Sequence, residues 1–302
     1  LRNHIYITGT SGFVGRNLVP YLQEQGDRIT AVGRDMLEAT NSFSFAQGDS
    51  IIHLAGKAHD FGSSSNPQEY YRVNYVLTKQ LYDAFLNSDA KKFIFISSVK
   101  AAADSVKDNL TEAVDPSPLT DYGKSKLLAE QYIQNQVLPY GKAFYILRPC
   151  MIHGPGNKGN LNLLFKLVNL GFPYPLAAFD NERSFLSIAN FNLVINALLT
   201  NEIGSGIYNV ADDGIISTNE VITIISECLG LKTKLWRLNP KLITAVARLG
   251  DYLQLPLNSE RLKKMTENYV VSNEKIKHAL RIVNFPVSSK QGLYFTINSF
   301  KK

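Results

Sequence analysis

Short apolar runs alternate with amphipathic stretches through the first half of the chain. His4 to Thr8 is strand-like, and a helical pattern through Leu18, Val19 and Leu22 follows it. Arg28 to Val32 predicts a second strand, and Asp49 to Gly56 an apolar strand of the kind buried in a parallel sheet. From Asn66 a helix is predicted, with Pro67 at its start and Tyr71, Val73, Val76, Leu77, Leu81 and Phe85 at its apolar positions. Lys92 to Ser98 is another buried strand, a helix begins near Tyr122, and Ala143 to Leu147 forms a strand leading into Arg148-Pro149. Strand and helix taking turns over about 150 residues predict an α/β fold with a doubly wound parallel sheet.

Beyond residue 150 the texture changes. Gly154 to Asn160 and Phe172-Pro173-Tyr174-Pro175 are turn-rich, while a helix over Asn190 to Leu199 and a strand over Gly206 to Val210 return to the sheet. Residues 217–302 read as amphipathic helices, notably around Val221-Ile222-Ile224-Ile225 and Leu242-Ile243-Val246-Leu249. The division expected is a Rossmann-like domain of 1–152 with 186–212, and a smaller, mainly helical lobe of 153–185 with 213–302. Between Arg34 and Ile51 only Asn41 to Phe45 is strand-like, too little for a full helix and strand.

Composition narrows the class. The 302 residues are 45% hydrophobic and 19% charged, as in an ordinary globular protein. No apolar run reaches the roughly 18 residues of a membrane span, and the chain opens on Ile5-Tyr6-Ile7 without a signal peptide, so a cytoplasmic protein is expected. Cys150 and Cys228 suggest core thiols, with no disulfide framework and no metal spacing. The net charge of +6 reads as spread over helices and the C-terminal end, as at Lys263, Lys264, Lys275, Lys277, Lys301 and Lys302. It would suit an anionic small molecule; nucleic acid would need a concentrated basic patch with aromatic platforms.

Three local patterns carry chemistry. Gly9-Thr10-Ser11-Gly12-Phe13-Val14-Gly15 joins the first strand to its helix, where glycines allow a tight turn and backbone N–H groups can approach a pyrophosphate. The second strand ends in Gly33-Arg34, where an acid would suit the ribose of NAD and an arginine the 2′-phosphate of NADP. That predicts NADP(H), with NAD(H) as the alternative. Finally, Tyr122 and Lys126 stand one helical turn apart on one face. A positive charge about 4 Å from a phenol, at an effective dielectric of about 20, is worth roughly 4 kcal/mol, or about three pKa units. Such a tyrosine would exchange protons near pH 7. Ser98 ends a strand twenty-four residues earlier, enough chain for a loop back to the strand's carboxyl end. Asn74, among apolar neighbours, needs partners, either as a bridge between backbones or in the site's hydrogen-bond network.

Gly9-x-x-Gly12-x-x-Gly15, His53-Leu54-Ala55, Asn74, Ser98, Tyr122-x-x-x-Lys126 and Arg148-Pro149, in this order, resemble an extended short-chain dehydrogenase/reductase across nearly the whole chain. Within it, Gly154 to Asn160, Phe172 to Pro175 and Arg183-Ser184-Phe185 resemble the branch that reduces the 4-keto group of a UDP-2-acetamido-2,6-dideoxyhexulose. Related proteins are often called UDP-sugar 4-epimerases. The resemblance implies that Gly9, Gly12, Phe13 and Val14 hold the pyrophosphate and Arg34 the 2′-phosphate. Leu54, Ala55 and Asn74 would border the cofactor, and Lys126 would bond the nicotinamide ribose. Tyr122 would be the acid/base, Ser98 would bond the same sugar oxygen, and Asn160, Arg183 and Arg261 would contact the UDP portion. It also implies a homodimer and a polysaccharide-precursor route. Dehydratases of this family carry Asp-Glu after the catalytic hydroxyl; Val99 and Lys100 stand there, and valine cannot transfer a proton. The expected function is 4-keto reduction, with UDP-glucose or UDP-N-acetylglucosamine 4-epimerisation as the alternative. A non-catalytic dinucleotide-sensing protein is the alternative of another class, although a sensor has no need of Ser98, Tyr122 and Lys126 together.

Overall fold

The computed structural model describes residues 3–33, 35–36, 45, 50–58, 66–157, 159–253 and 258–301. Strand β1 (His4–Thr8) runs into helix α1 (Phe13–Glu24), then β2 (Arg28–Val32) and β3 (Ser50–His53). Helix α2 (Pro67–Tyr71), a π-helical turn (Arg72–Val76) and α3 (Leu77–Leu86) form one continuous rod before β4 (Lys92–Ile96). Helix α4 (Asp121–Asn135) and β5 (Ala143–Pro149) complete the first half.

The second half contributes β6 (Met151–His153), α5 (Asn160–Asn169), β7 (Phe185–Ser187), α6 (Ile188–Thr200) and β8 (Gly206–Val210). Helices α7 (Thr218–Leu229), α8 (Pro240–Leu253), α9 (Ser259–Thr266), α10 (Glu274–Leu280) and α11 (Ser289–Ser299) follow.

Among the described residues, six strands form one all-parallel sheet in the order β2-β1-β3-β4-β5-β8. Both faces are covered, which is why the strands are apolar without alternation. One face packs Leu18 and Leu22 of α1 with Phe191, Val194, Ile195 and Leu198 of α6. The other takes Leu77, Leu81, Tyr82 and Phe85 of α3 with Ala129 and Ile133 of α4. Since β2 lies on one side of β1 and β3 on the other, chain direction reverses across the sheet at β1. The crevice beyond the carboxyl ends of β1 and β3 is where such sheets take their ligands.

A separate core joins α5, α7, α8, α9 and α11 through Leu161, Val221, Ile225, Ile243, Leu262 and Leu293. Helix α10 instead inserts Ile276 and Leu280 into the core of the sheet. The short pair β6-β7 links the two regions. Among the described residues, no helix is long and apolar enough to cross a membrane, and no cluster of side chains could hold a metal ion.

Candidate active site

The glycine turn lies at the point of reversal. Gly9 has a φ of 72°, and a Cβ there would meet the Ala55 nitrogen at 2.7 Å. A Cβ on Gly15 would lie 2.4 Å from the Gly9 carbonyl. Both positions therefore serve the chain's own close packing. Gly12 differs, because a Cβ on it would meet nothing nearer than the Gly9 carbonyl at 3.3 Å. It stands exposed at the N-terminus of α1, where the backbone N–H groups of Phe13 and Val14 begin the helix without intrahelical partners. Open space in front of unpartnered donors fits the pyrophosphate of a dinucleotide. Leu54 and Ala55 border the same crevice, with the Ala55 N–H donating to Thr8 Oγ1 at 3.0 Å. Gly33 follows Val32, which is paired with Thr8. Arg34, the proposed 2′-phosphate contact, lies outside the described residues.

At the end of β4, Ser98 accepts a hydrogen bond from the Lys100 N–H at 3.2 Å, which starts a short 3-10 turn. Thr120 caps α4 by accepting from the Gly123 N–H at 3.2 Å, and so fixes the helix at the turn that carries Tyr122. A Cβ on Gly123 would lie 2.4 Å from the Lys100 carbonyl, and this close approach brings α4 against the β4 end. The result sets the Ser98 hydroxyl beside the Tyr122 phenol, near enough to pull its pKa down. Tyr70 packs edge-on against Tyr122, with ring centroids 6.4 Å apart.

Lys126 stands one turn below Tyr122, but its effect is not the one its spacing suggests. Its ammonium donates to the Ile96 carbonyl at 2.9 Å and lies 4.7 Å from the Phe95 ring centre. Burial lowers its pKa to about 8, against an opposing pull from Glu130. The Tyr122 phenol is pushed up, first by burial, while the Ser98 hydroxyl pulls it down and Glu130 raises it further. The expectation that this phenol is drawn towards neutrality is corrected: burial raises its pKa above the ordinary tyrosine value.

Asn74 falls within the π-helical turn and is fully buried. Its Oδ1 accepts from the Lys57 N–H at 2.8 Å, and its Nδ2 donates to the Lys57 carbonyl at 3.0 Å and to Ser125 Oγ at 3.1 Å. Both amide hydrogens are thereby used in bridging the exit of β3 to α4. Through Ser125, whose hydroxyl donates to the Tyr122 carbonyl at 2.9 Å, Asn74 also reaches the helical turn that carries Tyr122, so both roles considered for it have contacts here.

Two buried groups beneath the site have partners that no motif reveals. Glu130 is one turn beyond Lys126 and accepts from Arg148 Nε at 3.0 and 3.1 Å and from the Ser97 hydroxyl. His53 bonds Thr8 Oγ1 at 2.7 Å and Thr78 Oγ1 at 2.9 Å, tying β1 and β3 to α3. Burial, then the charge of Lys126, lowers the His53 pKa to about 3. The signal for Glu130 was its i+4 spacing from Lys126 on the Tyr122 face; His53 belongs to the His53-Leu54-Ala55 pattern, but its partners lie too far away in sequence to be read from it.

A cavity of about 150 Å³ opens in the second core, lined by Asn160, Tyr174, Arg183, Phe185, Thr218 and Lys264 among others. Asn160 and Arg183, distant in sequence, are thus brought together. Arg183 is held by the Lys264 carbonyl and, through Nε, by the Glu267 carbonyl at 3.4 Å. Arg261 is exposed on α9 and does not line this cavity; Lys264, one turn further on, does.

The fold is that of a dinucleotide-binding α/β enzyme. Residues 5–211 match the NAD dependent epimerase/dehydratase family, and the chain belongs to it. It is 30% identical over 256 residues to a UDP-glucose 4-epimerase of Vibrio cholerae, spanning 78% of this chain and 77% of that one. It is also 30% identical over 166 residues to a UDP-2-acetamido-2,6-beta-L-arabino-hexul-4-ose reductase of Pseudomonas aeruginosa, spanning 52% of this chain and 38% of that one. The UDP-glucose 4-epimerase of Thermus thermophilus, solved in complex with NAD, shares the fold with a TM-score of 0.73 at 20% identity over 99% of both chains.

Proposed function

We propose that this enzyme reduces the 4-keto group of a UDP-2-acetamido-2,6-dideoxyhexulose, with NADP(H) as the favoured cofactor. The observation that carries the reading is the close approach of α4 to the end of β4, which sets Tyr122 beside Ser98 next to the crevice that begins at the glycine turn. A phenol kept protonated by burial is the form that donates to a nascent alkoxide. Tyr122 would supply that proton, Ser98 would hold the oxygen, and Lys126 would bond the cofactor's ribose. The dinucleotide, held by Gly9, Gly12, Phe13 and Val14 and bordered by Leu54 and Ala55, supplies the hydride when bound. Asn160 and Arg183 give the cavity donors suited to a nucleotide diphosphate. Val99, buried where a dehydratase needs an acid, argues against water elimination.

Gly33-Arg34 at the end of β2 is the reason to prefer reduction over epimerisation, since a reductase consumes NADPH as a second substrate. A 4-epimerase is the second reading, favoured by the longer match to the Vibrio cholerae relative. The test is a fluorescence titration of the purified protein with NADPH and NADH, with and without UDP. Preference for NADPH of more than about tenfold, corresponding to about 1.4 kcal/mol, supports reduction. NAD carried through purification, or preference for NADH, assigns epimerisation instead.

A further inference from the structure

Helix α8 carries two apolar stripes of the same spacing. Ile243, Ala247 and Gly250 are buried in the second core. Leu242, Val246, Leu249 and Leu253 recur at i, i+4, i+7 and i+11, yet all are 45 to 60% exposed. Tyr252 widens this face at 85% exposed, and Trp236, in the segment that leads into the helix, is 57% exposed. At about 100° per residue, Lys241 and Arg248 fall along the edge of the exposed stripe away from the core.

The basic residues are concentrated in the same stretch of sequence. Residues 231–265 hold eight Lys or Arg (Lys232, Lys234, Arg237, Lys241, Arg248, Arg261, Lys263 and Lys264) against Asp251 and Glu260. Their net +6 equals that of the entire chain, so the remainder is neutral. The reading of a dispersed basic excess is therefore corrected. Both acids are engaged locally: Glu260 pairs with Lys264 at 2.6 Å, and Asp251 accepts from the Ser259 N–H at 2.9 Å.

We propose that this face docks on an anionic phospholipid surface, with α8 lying in the headgroup layer. Leu242, Val246, Leu249 and Leu253 would enter the acyl boundary, while Lys241 and Arg248 extend to lipid phosphates. Trp236 and Tyr252 are the amphipathic rings that such a layer accommodates. Charge selects this occupant over a second copy of the chain, because a symmetric pairing would set one +6 segment against another. An anionic bilayer satisfies the stripe and the charge together. The docked elements also build the substrate cavity: Tyr174 and Leu176 bridge to Leu235 and Arg237, and Lys264 and Met265 of α9 line its wall. Binding at this face would hold that cavity next to the membrane.

The test is flotation of the whole protein with vesicles of phosphatidylcholine alone and of phosphatidylcholine mixed with phosphatidylglycerol. Trp236, the chain's single tryptophan, serves as an optical reporter. The expected result is co-flotation with the anionic vesicles only, a blue shift of tryptophan emission, and reversal by salt. Lys241→Gln and Arg248→Gln should each weaken partitioning about fivefold. Leu242→Ser with Leu249→Ser should abolish it while dinucleotide binding and the far-ultraviolet dichroism are retained. Absence of flotation with anionic vesicles, or equal flotation with neutral ones, would overturn the proposal. So would a dimer, formed without lipid, that the paired serine variant dissociates, since that result gives the face to a second copy.

Discussion

Arg148 Nε lies 3.0 Å from Glu130 Oε1, and the pair is withdrawn from water, at 1% and 0% side-chain exposure. With the Ser97 hydroxyl, this carboxylate ties α4 to the ends of β4 and β5, directly below the turns that carry Lys126 and Tyr122. Removing one partner leaves a buried charge without compensation. Arg148→Met is expected to cost about 3–5 kcal/mol of stability, and a Glu130→Met, Arg148→Met double variant to recover much of it. Urea unfolding measures both; a single-variant loss under about 1 kcal/mol would show that the pair does not anchor the helix.

Tyr122→Phe removes one hydroxyl from a residue whose ring contacts with Tyr70 remain. Turnover should fall by roughly 10² to 10⁴ with UDP affinity nearly unchanged. Steady-state assays beside a UDP titration separate the two effects. A fall of less than about tenfold takes Tyr122 out of the proton-transfer role.

Glycines 12 and 15 should respond differently to the same methyl group. Gly15→Ala forces a Cβ into the Gly9 carbonyl at 2.4 Å, so the protein should lose thermal stability. Gly12→Ala meets the Gly9 carbonyl at 3.3 Å, a tight but milder contact, and should lose less melting temperature than Gly15→Ala while losing dinucleotide affinity by more than about tenfold. Equal affinity in wild type and Gly12→Ala would place the pyrophosphate elsewhere.

His53 imposes a pH dependence on folding. Its folded pKa of about 3 is depressed below an unfolded value of about 6.5, so the unfolded chain takes up the proton first as the pH falls. The stabilising contribution is present above about pH 6.5 and is lost progressively towards pH 3. His153, lowered to about 4 by burial, acts in the same direction, whereas Asp212, raised to about 6, opposes it over part of the range. His53→Gln should flatten the slope of unfolding free energy between about pH 6.5 and 5. An identical slope in the variant would assign the acid sensitivity to other groups.

Much of this was legible because it is local. The glycine turn between β1 and α1 and the alternation that makes a doubly wound sheet depend on residues close in the chain. Periodicity and turn chemistry record such features directly. The helical Tyr122–Lys126 spacing was equally plain, but its consequence was not. The phenol's pKa depends on how deeply α4 is pressed against β4, and that is set by Gly123 meeting Lys100.

The chain's own order of residues therefore determined its class, its sheet and the place of Tyr122 in the first turn of α4. Only the tertiary structure decided which polar groups meet. Glu130 and Arg148 are 18 residues apart, His53 and Thr8 are 45, and His153 meets Thr296 across 143. The same holds for α8: Ile243 and Leu242 belong to stripes of identical period, and packing against the second core buries one and leaves the other in the open. Period measures how apolar positions repeat along a helix. Which face is covered depends on what lies opposite it, and that is a property of the assembled fold.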